Sequence, residues 1–580
     1  MWQLRKYLGR FKKQAILGPL FKLTEAVLEL IVPLVMARII DIGVKHQDMG
    51  YVLRMGGLLL LIGIVSLGCA MVCQYYASIA SQGVGTALRR DMYAKVNSLS
   101  HAQLDRFGTH SLITRLTNDV NQLQLAVAML IRLVVRAPFL AIGAVVMAMT
   151  IDLPLATVLL VALPLIVIVL YFVMGKSVPY FRVMQKKLDK IALLTRENLE
   201  GARVIRAFSK QESQQETFEV ASNDLADTAV RVGRLSALLN PLTYVIMNLG
   251  IVAIVWFGGA RVNIGALTQG EIIAFVNYMT QILLALIVVA NLVVIFTKAS
   301  ASATRVQEVL QTQPAIVSPT QTPVQAQAGR DVPRIRLKHA SFAYGDAQET
   351  AVADVTIDIY PGETVGIIGG TGSGKSTLVN LIPRFYDVTQ GSVEIGGVDV
   401  RSYPLDQLRH MVGMVPQRAA VVSGTVAENL RWADPDATEE AMWQALETAQ
   451  AADFVRKLPQ KLGTYLEQGG KNLSGGQKQR LTIARALVGK PDILILDDAA
   501  SALDFATDAA LRRALRRDTR DMTVLMISQR ASSIRYADKI IVLDDGEVAG
   551  IGTHDTLIES CPVYREICLS QLSEQEVAAQ

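Results

Sequence analysis

Charge is scarce in this 580-residue chain: 19% of residues are Asp, Glu, Lys or Arg, against roughly 25% in soluble domains. The 57 Lys and Arg nearly cancel 52 Asp and Glu, leaving +5. So weak a field over this length argues against a nucleic-acid partner. Cysteine is rarer still, with four residues. Cys69 and Cys73 sit in an apolar run, and Cys561 and Cys568 lie near the C-terminus. That pattern excludes a secreted disulfide framework and reads as buried, inert thiols. The six His are scattered without metal-ligand spacing. What the chain has in quantity is apolar residues, 51% of the total, which excludes a disordered chain.

Those apolar residues are concentrated in the first 300 positions. Six stretches, about 16–40, 53–79, 124–150, 154–175, 241–260 and 272–297, are each long enough to cross a bilayer, which takes about 20 residues. Each is apolar nearly all round, unlike an amphipathic soluble helix. The opening MWQLRKYLGRFKK reads as an interfacial helix with no cleavage site after it. Arg5, Lys6, Arg10, Lys12 and Lys13 place the N-terminus in the cytoplasm. The intervals 80–123 and 176–240 are long, charged and rich in helix formers, so they read as cytoplasmic helical extensions. Residues 311–334 are rich in Pro, Gln, Thr and Ala and read as a linker between a 1–310 membrane domain and a 335–580 soluble domain. That last part alternates short apolar strands with helical stretches, the texture of an α/β domain.

The soluble part carries the chemistry. Gly369-Gly370-Thr371-Gly372-Ser373-Gly374-Lys375-Ser376 fits G-x-x-x-x-G-K-[ST] between the strand TVGII and the helical TLVNLI, the context this phosphate loop requires. Its glycines turn backbone N–H groups toward phosphate oxygens, and the following helix adds its positive end. Lys375 is placed for the β/γ-phosphates, with Thr377 following, and Ser376 for Mg2+. ILILDD ends a buried strand in Asp497, a second Mg2+ ligand.

Between these motifs stands Leu473-Ser474-Gly475-Gly476-Gln477, followed by KQRLTIARAL. With Val415-Pro416-Gln417, the Ser501–Asp504 tetrapeptide SALD, Tyr344 upstream of the phosphate loop, TRLTNDV (114–120) and ENLEGARVIRAFSKQ (197–211), the chain resembles ATP-binding cassette (ABC) exporters over nearly its whole length. The resemblance implies a six-helix membrane domain of exporter type fused to an α/β P-loop NTPase domain, multi-pass in a cell membrane, with a bacterial inner membrane expected. It further implies ATP and Mg2+ as cofactors. Two cassettes would sandwich two ATPs. Tyr344 would stack on adenine, and Gln417 would contact Mg2+ and the attacking water. Ser474, Gly475, Gly476 and Gln477 would serve the ATP of the opposing cassette, and Asp504 would sit in the D-loop. The 114–120 and 199–205 segments would touch the cassettes.

Two positions depart from the family pattern. Asp498 stands where the family has a catalytic Glu, and Gln529 where it has a switch His. The shorter side chain withdraws the carboxylate by roughly 1.5 Å, and glutamine neither titrates nor carries charge. His554 lies beyond the next strand and does not replace the missing group. The combination resembles the subunit of a heterodimeric exporter that contributes a degenerate ATP site. The expected partners are therefore a second, different half-exporter, membrane lipid, and a hydrophobic or amphipathic small molecule as cargo. A lipid or peptide exporter of the same architecture, or an ATP-gated channel or regulatory subunit, remain open, and processing of a leader peptide by this chain is not expected. Within the membrane, Glu25 with Glu29, Arg132 with Arg136, and Asn277 with Gln281 repeat at i,i+4, with Asn291 further along. They read as a polar cavity wall with Glu–Arg pairing, and snorkelling or interhelical bonding accounts for them equally well. Tyr75, Tyr76, Tyr244, Met247 and Phe296 are further candidates for an amphiphile site, or else core and lipid contacts.

Overall fold

The computed structural model describes residues 5–319, 329, 331–345 and 349–571. Met1–Leu4 of the interfacial opening and residues 320–328 and 330 of the linker lie outside the described residues. The chain forms two compact units, one of residues 1–97 with 110–312, the other of 98–109 with 313–580.

The first unit is helical. Among the described residues five helical stretches, Met49–Ser98, Thr109–Ile151, Leu153–Glu200, Gln211–Asn263 and Gln269–Gln311, are long and apolar enough to cross a membrane. The 50-residue first of these is about 75 Å long at 1.5 Å per residue, more than twice the ~30 Å hydrocarbon core. Most of each charged interval thus continues a membrane helix, except that residues 99–108 of the first lie in a separate short helix and its flanks. The sixth expected segment forms helix Lys12–Arg38. Its 27 residues suffice in length, but Lys22, Glu25 and Glu29 make it more polar than the other five.

The core of this unit is built from small residues and a few large ones. Ala26, Ala144, Ala156, Ile166, Phe275 and Ile282 are fully buried, and the alanines let helix backbones approach closely. Buried Tyr278 satisfies its hydroxyl by donating to the Leu30 carbonyl at 2.8 Å. At one end Asp152 caps the helix that follows, accepting from the Leu155 N–H at 2.8 Å, and pairs with Arg261 at 2.6 Å. Asp41 accepts from the Thr268 hydroxyl at 2.6 Å and the Gly270 N–H at 2.8 Å.

TRLTNDV lies where the stretch Thr109–Ile151 takes a π turn, Arg115–Asp119. Its charges are tied to the last helix of the same unit: Arg115 pairs with Glu308 at 2.7 Å, and buried Asp119 accepts from Ser302 and Arg305. Just upstream, the short helix His101–Phe107 belongs to the second unit. Ser100 and Gln103 form its capping box, and Gly108 ends it at φ 73°. His101 packs on Phe385 with ring centroids 4.6 Å apart. The Tyr386 hydroxyl donates to Asp105 at 3.1 Å. Gln103 donates to the Gln313 carbonyl at 2.6 Å. This helix carried no motif in the sequence; its neighbour 114–120 did.

The rest of the second unit is α/β. Its central six-stranded sheet has the order 547–552, 539–544, 364–369, 523–527, 493–497, 412–415. All neighbours are parallel except the 547–552 edge. An antiparallel sheet of 352–359, 335–342, 390–395 and 398–399 packs beside it. The parallel strands are buried on both faces, as ILILD and TVGIIG, apolar along their whole length, require. A helical lobe closes over the 412–415 side, with Leu430, Leu446, Val455 and Leu466 fully buried in one cluster with the signature helix. All four cysteines are buried free thiols.

Candidate nucleotide site

Parallel strands deliver their C-terminal residues to one sheet edge, which is where ligands of such sheets gather. Here the 364–369 strand ends in Gly369, the 493–497 strand in Asp497, and the 523–527 strand in Ile527, level with Asp497 in the register. Everything that follows these ends is therefore brought together.

After Gly369 the loop turns through Gly372 at φ 88° and Gly374 at φ 87°, the left-handed region that favours glycine. A Cβ on Gly374 would come 2.3 Å from the Ala351 carbonyl, and one on Gly369 2.1 Å from the Leu543 carbonyl, so the cradle admits no side chain there. Gly370, Thr371 and Gly372 are exposed, whereas Ser373 and Thr377 are buried. Helix Lys375–Leu381 starts at the loop. The Lys375 ammonium donates to the Gly369 carbonyl at 3.0 Å, to Ser373 Oγ at 3.2 Å, and to the Gly370 carbonyl. Burial lowers its pKa, with Asp497 and Asp498 opposing. Ser376 donates to Asp497 Oδ1 at 3.0 Å. Burial raises the Asp497 carboxyl above the usual carboxylate range, against the Ser376 hydrogen bond and Lys375. This donor set fits Mg-ATP: loop amides and Lys375 suit phosphate oxygens, and the hydroxyl–carboxylate pair suits a hard cation. Mg2+ held by Ser376 and Asp497 would neutralise charge on the phosphates.

Asp498 adopts φ 46°. A non-glycine residue seldom sits there, although Asp is among the side chains that tolerate it. Its N–H donates to the Ile527 carbonyl at 3.0 Å and its carbonyl accepts from Ser501 Oγ at 2.8 Å, so the backbone is fixed on both sides. Gln417, exposed two residues after the 412–415 strand, donates through Nε2 to the Asp498 carboxylate at 3.4 Å. Burial raises the Asp498 pKa, while that hydrogen bond and the charge of Arg530 lower it. Gln529 is exposed, and its carbonyl accepts from Gln571 Nε2 at 2.7 Å. Gln571 also accepts from the Ala531 N–H at 2.9 Å. A residue on the C-terminal helix thus clamps the backbone around position 529. That role was not visible in sequence, because the clamp is long-range.

Tyr344 is 42% exposed and held edge-on by Phe342 at 4.8 Å and Tyr386 at 5.3 Å. Its hydroxyl pairs with Thr377 Oγ1 at 3.1 Å, joining the aromatic platform to the phosphate-loop helix. Ser474 caps helix Gly475–Val488: its N–H donates to Gln477 Oε1 at 2.8 Å, and its hydroxyl accepts from the Gln477 N–H at 3.3 Å. The cap leaves Ser474 and Gly475 exposed at a helix N-terminus, while a Cβ on Gly476 would sit 3.1 Å from the Ala502 carbonyl. Asp504 caps helix Phe505–Asp518 through the Thr507 N–H at 2.8 Å, and that backbone bond holds its carboxyl below the usual range. The phosphate loop, Asp497, Asp498 and Gln417 form one connected cluster. Among the described residues no hydrogen bond joins Ser474–Gln477 to it. His554 is occupied elsewhere, its ring paired with the Tyr564 hydroxyl at 2.8 Å.

Residues 15–286 match the ABC transporter transmembrane region, and residues 352–501 match the ABC transporter cassette. An uncharacterized ABC transporter ATP-binding protein of Mycobacterium tuberculosis is 38% identical over 98% of this chain and 97% of its own length. The chain belongs to the ABC transporter family. The YfiB ABC transporter ATP-binding protein of Bacillus subtilis, also called uncharacterized, is 36% identical over 99% of both chains. A multidrug efflux ATP-binding/permease protein of Mycobacterium bovis is 32% identical over 98% of this chain, which spans 47% of that longer protein. The solved structure of a bacterial Atm1-family ABC exporter with ATP bound superposes with a TM-score of 0.81, covering 97% of this chain at 22% identity. The exporter-type architecture, a helical membrane domain fused to one cassette in a multi-pass membrane protein, is thereby shown. ATP-driven transport is the activity that goes with it.

Proposed function

We propose that this ABC transporter works as one half of a heterodimeric exporter of hydrophobic or amphipathic compounds, and that its own phosphate-loop site binds ATP but cleaves it slowly. The carrying observation is the pairing at Asp498. The short carboxylate sits on a fixed, left-handed backbone and is bonded to Gln417. A reacting group misplaced by about 1 Å costs roughly 100-fold in rate. Gln529 supplies no charge beside it. The exposed, capped N-terminus at Ser474 is intact, so this chain can complete a site on a partner that supplies Glu and His. Multidrug efflux in the Mycobacterium bovis relative supports the cargo class, as does the exposed aromatic surface of the membrane helices, with Tyr75 64% and Tyr244 48% exposed.

In this reading ATP closes the cassettes and favours one orientation of the membrane helices, and hydrolysis at the partner's site resets them. The test is reconstitution. The full chain is purified alone and with a second half-exporter that carries Glu and His at the corresponding positions. The expected result is slow ATPase alone, brisk ATPase in the pair, and ATP-dependent accumulation of an amphipathic dye in inside-out vesicles only with the pair. Passive dye flux opened by a non-hydrolysable ATP analogue would instead support a channel.

A further inference from the structure

The charged residues inside the membrane domain do not all find partners. Glu29 on the first helix pairs with Arg136 at 2.6 Å, and Lys22 with Glu25 at 2.6 Å. That leaves Arg132, partly buried, with no carboxylate within ion-pair reach among the described residues. Among the described residues its one hydrogen bond is long, 3.4 Å to Ser78 Oγ on helix Met49–Ser98. Among the described residues Arg132 Nε, Arg136 Nε and Gln281 Oε1 are buried without hydrogen-bond partners, and Gln281 reaches only the Glu29 carbonyl, at 3.5 Å. Four helices thus converge on a polar cluster with one excess positive charge and three unsatisfied atoms. Half-satisfied clusters of this kind are costly in a low-dielectric setting.

The backbone is special at the same place. Residues Leu130–Val134 form a π turn that carries Arg132, and such turns concentrate at functional sites. Helix Arg136–Ile151 follows, with 16 residues, so Arg136 lies about 22 Å and Arg132 about 28 Å from its outer end. Against a core of ~30 Å, this sets the cluster in the inner leaflet, with Arg132 near the depth of lipid headgroups on the cytoplasmic side.

We infer that Arg132, with Arg136, Gln281 and Ser78 around it, binds the anionic headgroup of an amphiphile entering from the inner leaflet. A phosphate or carboxylate would give Arg132 the counter-charge and acceptor it lacks, with the alkyl chain among the apolar helix faces. The same chemistry describes an acidic bilayer lipid and an acidic cargo. Only onward transport of the amphiphile rests on the exporter reading; binding does not.

The test is equilibrium binding of spin-labelled probes to the full chain in phosphatidylcholine nanodiscs, without partner or ATP. The probes are phosphatidylglycerol, a single-chain alkyl phosphate, and phosphatidylcholine as the neutral reference. The unmodified chain should prefer at least one anionic probe by about tenfold, the worth of a charge-assisted hydrogen bond. Arg132→Gln should abolish that preference, and Arg132→Lys should retain most of it. Glu29→Gln, which frees Arg136, should increase it, and this variant carries the test if Arg132→Gln does not fold. A preference for the lipid probe alone assigns the site to bilayer lipid, and one for the alkyl phosphate alone to cargo-type amphiphiles. No anionic preference in the unmodified chain, or one that Arg132→Gln and Glu29→Gln leave unchanged, overturns the inference. Because no transport is measured, a failed dye assay and a failed binding assay remain distinguishable.

Discussion

Restoring the two altered side chains should restore turnover at this site, and the size of the effect follows from the geometry. Asp498 is one methylene shorter than glutamate, a withdrawal of roughly 1.5 Å. Recovering it is worth about 100-fold in rate, or ~2.7 kcal/mol of activation free energy. Gln529→His replaces a neutral hydrogen bond to the departing phosphate by a charge-assisted one when the ring is protonated, a gain of about 1 kcal/mol and several-fold in rate. The double variant Asp498→Glu/Gln529→His should therefore cleave ATP on the order of 1,000-fold faster than the unmodified site, provided the effects add. The left-handed backbone at 498, φ 46°, works against glutamate through stability, by up to about 1–2 kcal/mol, but does not remove the kinetic gain. The assay is single-turnover release of γ-labelled phosphate from the full chain co-purified with its partner half, whose own phosphate-loop lysine is replaced. An increase below about threefold, with nucleotide affinity unchanged, would refute the argument that these two positions limit the chemistry.

Other expectations follow from the same site and its supporting core. Lys375→Ala removes the cation that the Gly369 and Gly370 carbonyls hold at the loop; ATP affinity by equilibrium dialysis should fall more than tenfold. Burial raises the Asp497 carboxyl, so it takes up a proton at a higher pH than an ordinary aspartate. Mg2+-dependent nucleotide binding should then weaken on acidification before pH reaches the usual carboxylate range near 4, and Asp497→Asn should remove that dependence together with most of the Mg2+ requirement. Leu446 is fully buried in the helical lobe, and Leu446→Ala should cost about 2–5 kcal/mol by cavity formation, read as a lower melting transition of the cassette.

The parts of the structure that were legible in sequence are those set by local pattern. The phosphate loop, ILILDD and the capping box at Ser474 each put their determinants within a few residues of one another, and the structure builds them as strand end, loop and helix start. The membrane helices were legible because a bilayer demands one composition over about 20 residues. The expected 16–40 segment is likewise helical, and its charges Lys22, Glu25 and Glu29 have partners that include Arg136, more than a hundred residues away. What stayed hidden depends on long-range contact. Helix His101–Phe107 has no motif, and its value lies in Phe385 and Tyr386 some 280 residues on. The Gln571 clamp on residues 529–531 is of the same kind. Asn277, read as a candidate cavity or interhelical residue, is exposed and donates to the Ile273 carbonyl of its own helix. Gln281 does bridge helices. Met247 is buried in the helical core.

The asymmetry between holding and cleaving nucleotide can be read directly by photolabelling. The full chain with its partner half is incubated with Mg2+ and α-labelled azido-ATP, irradiated, and the nucleotide attached to each chain is identified. Recovery of intact triphosphate on this chain, alongside diphosphate on the partner, is the predicted outcome. Diphosphate accumulating on this chain as fast as on its partner would contradict it.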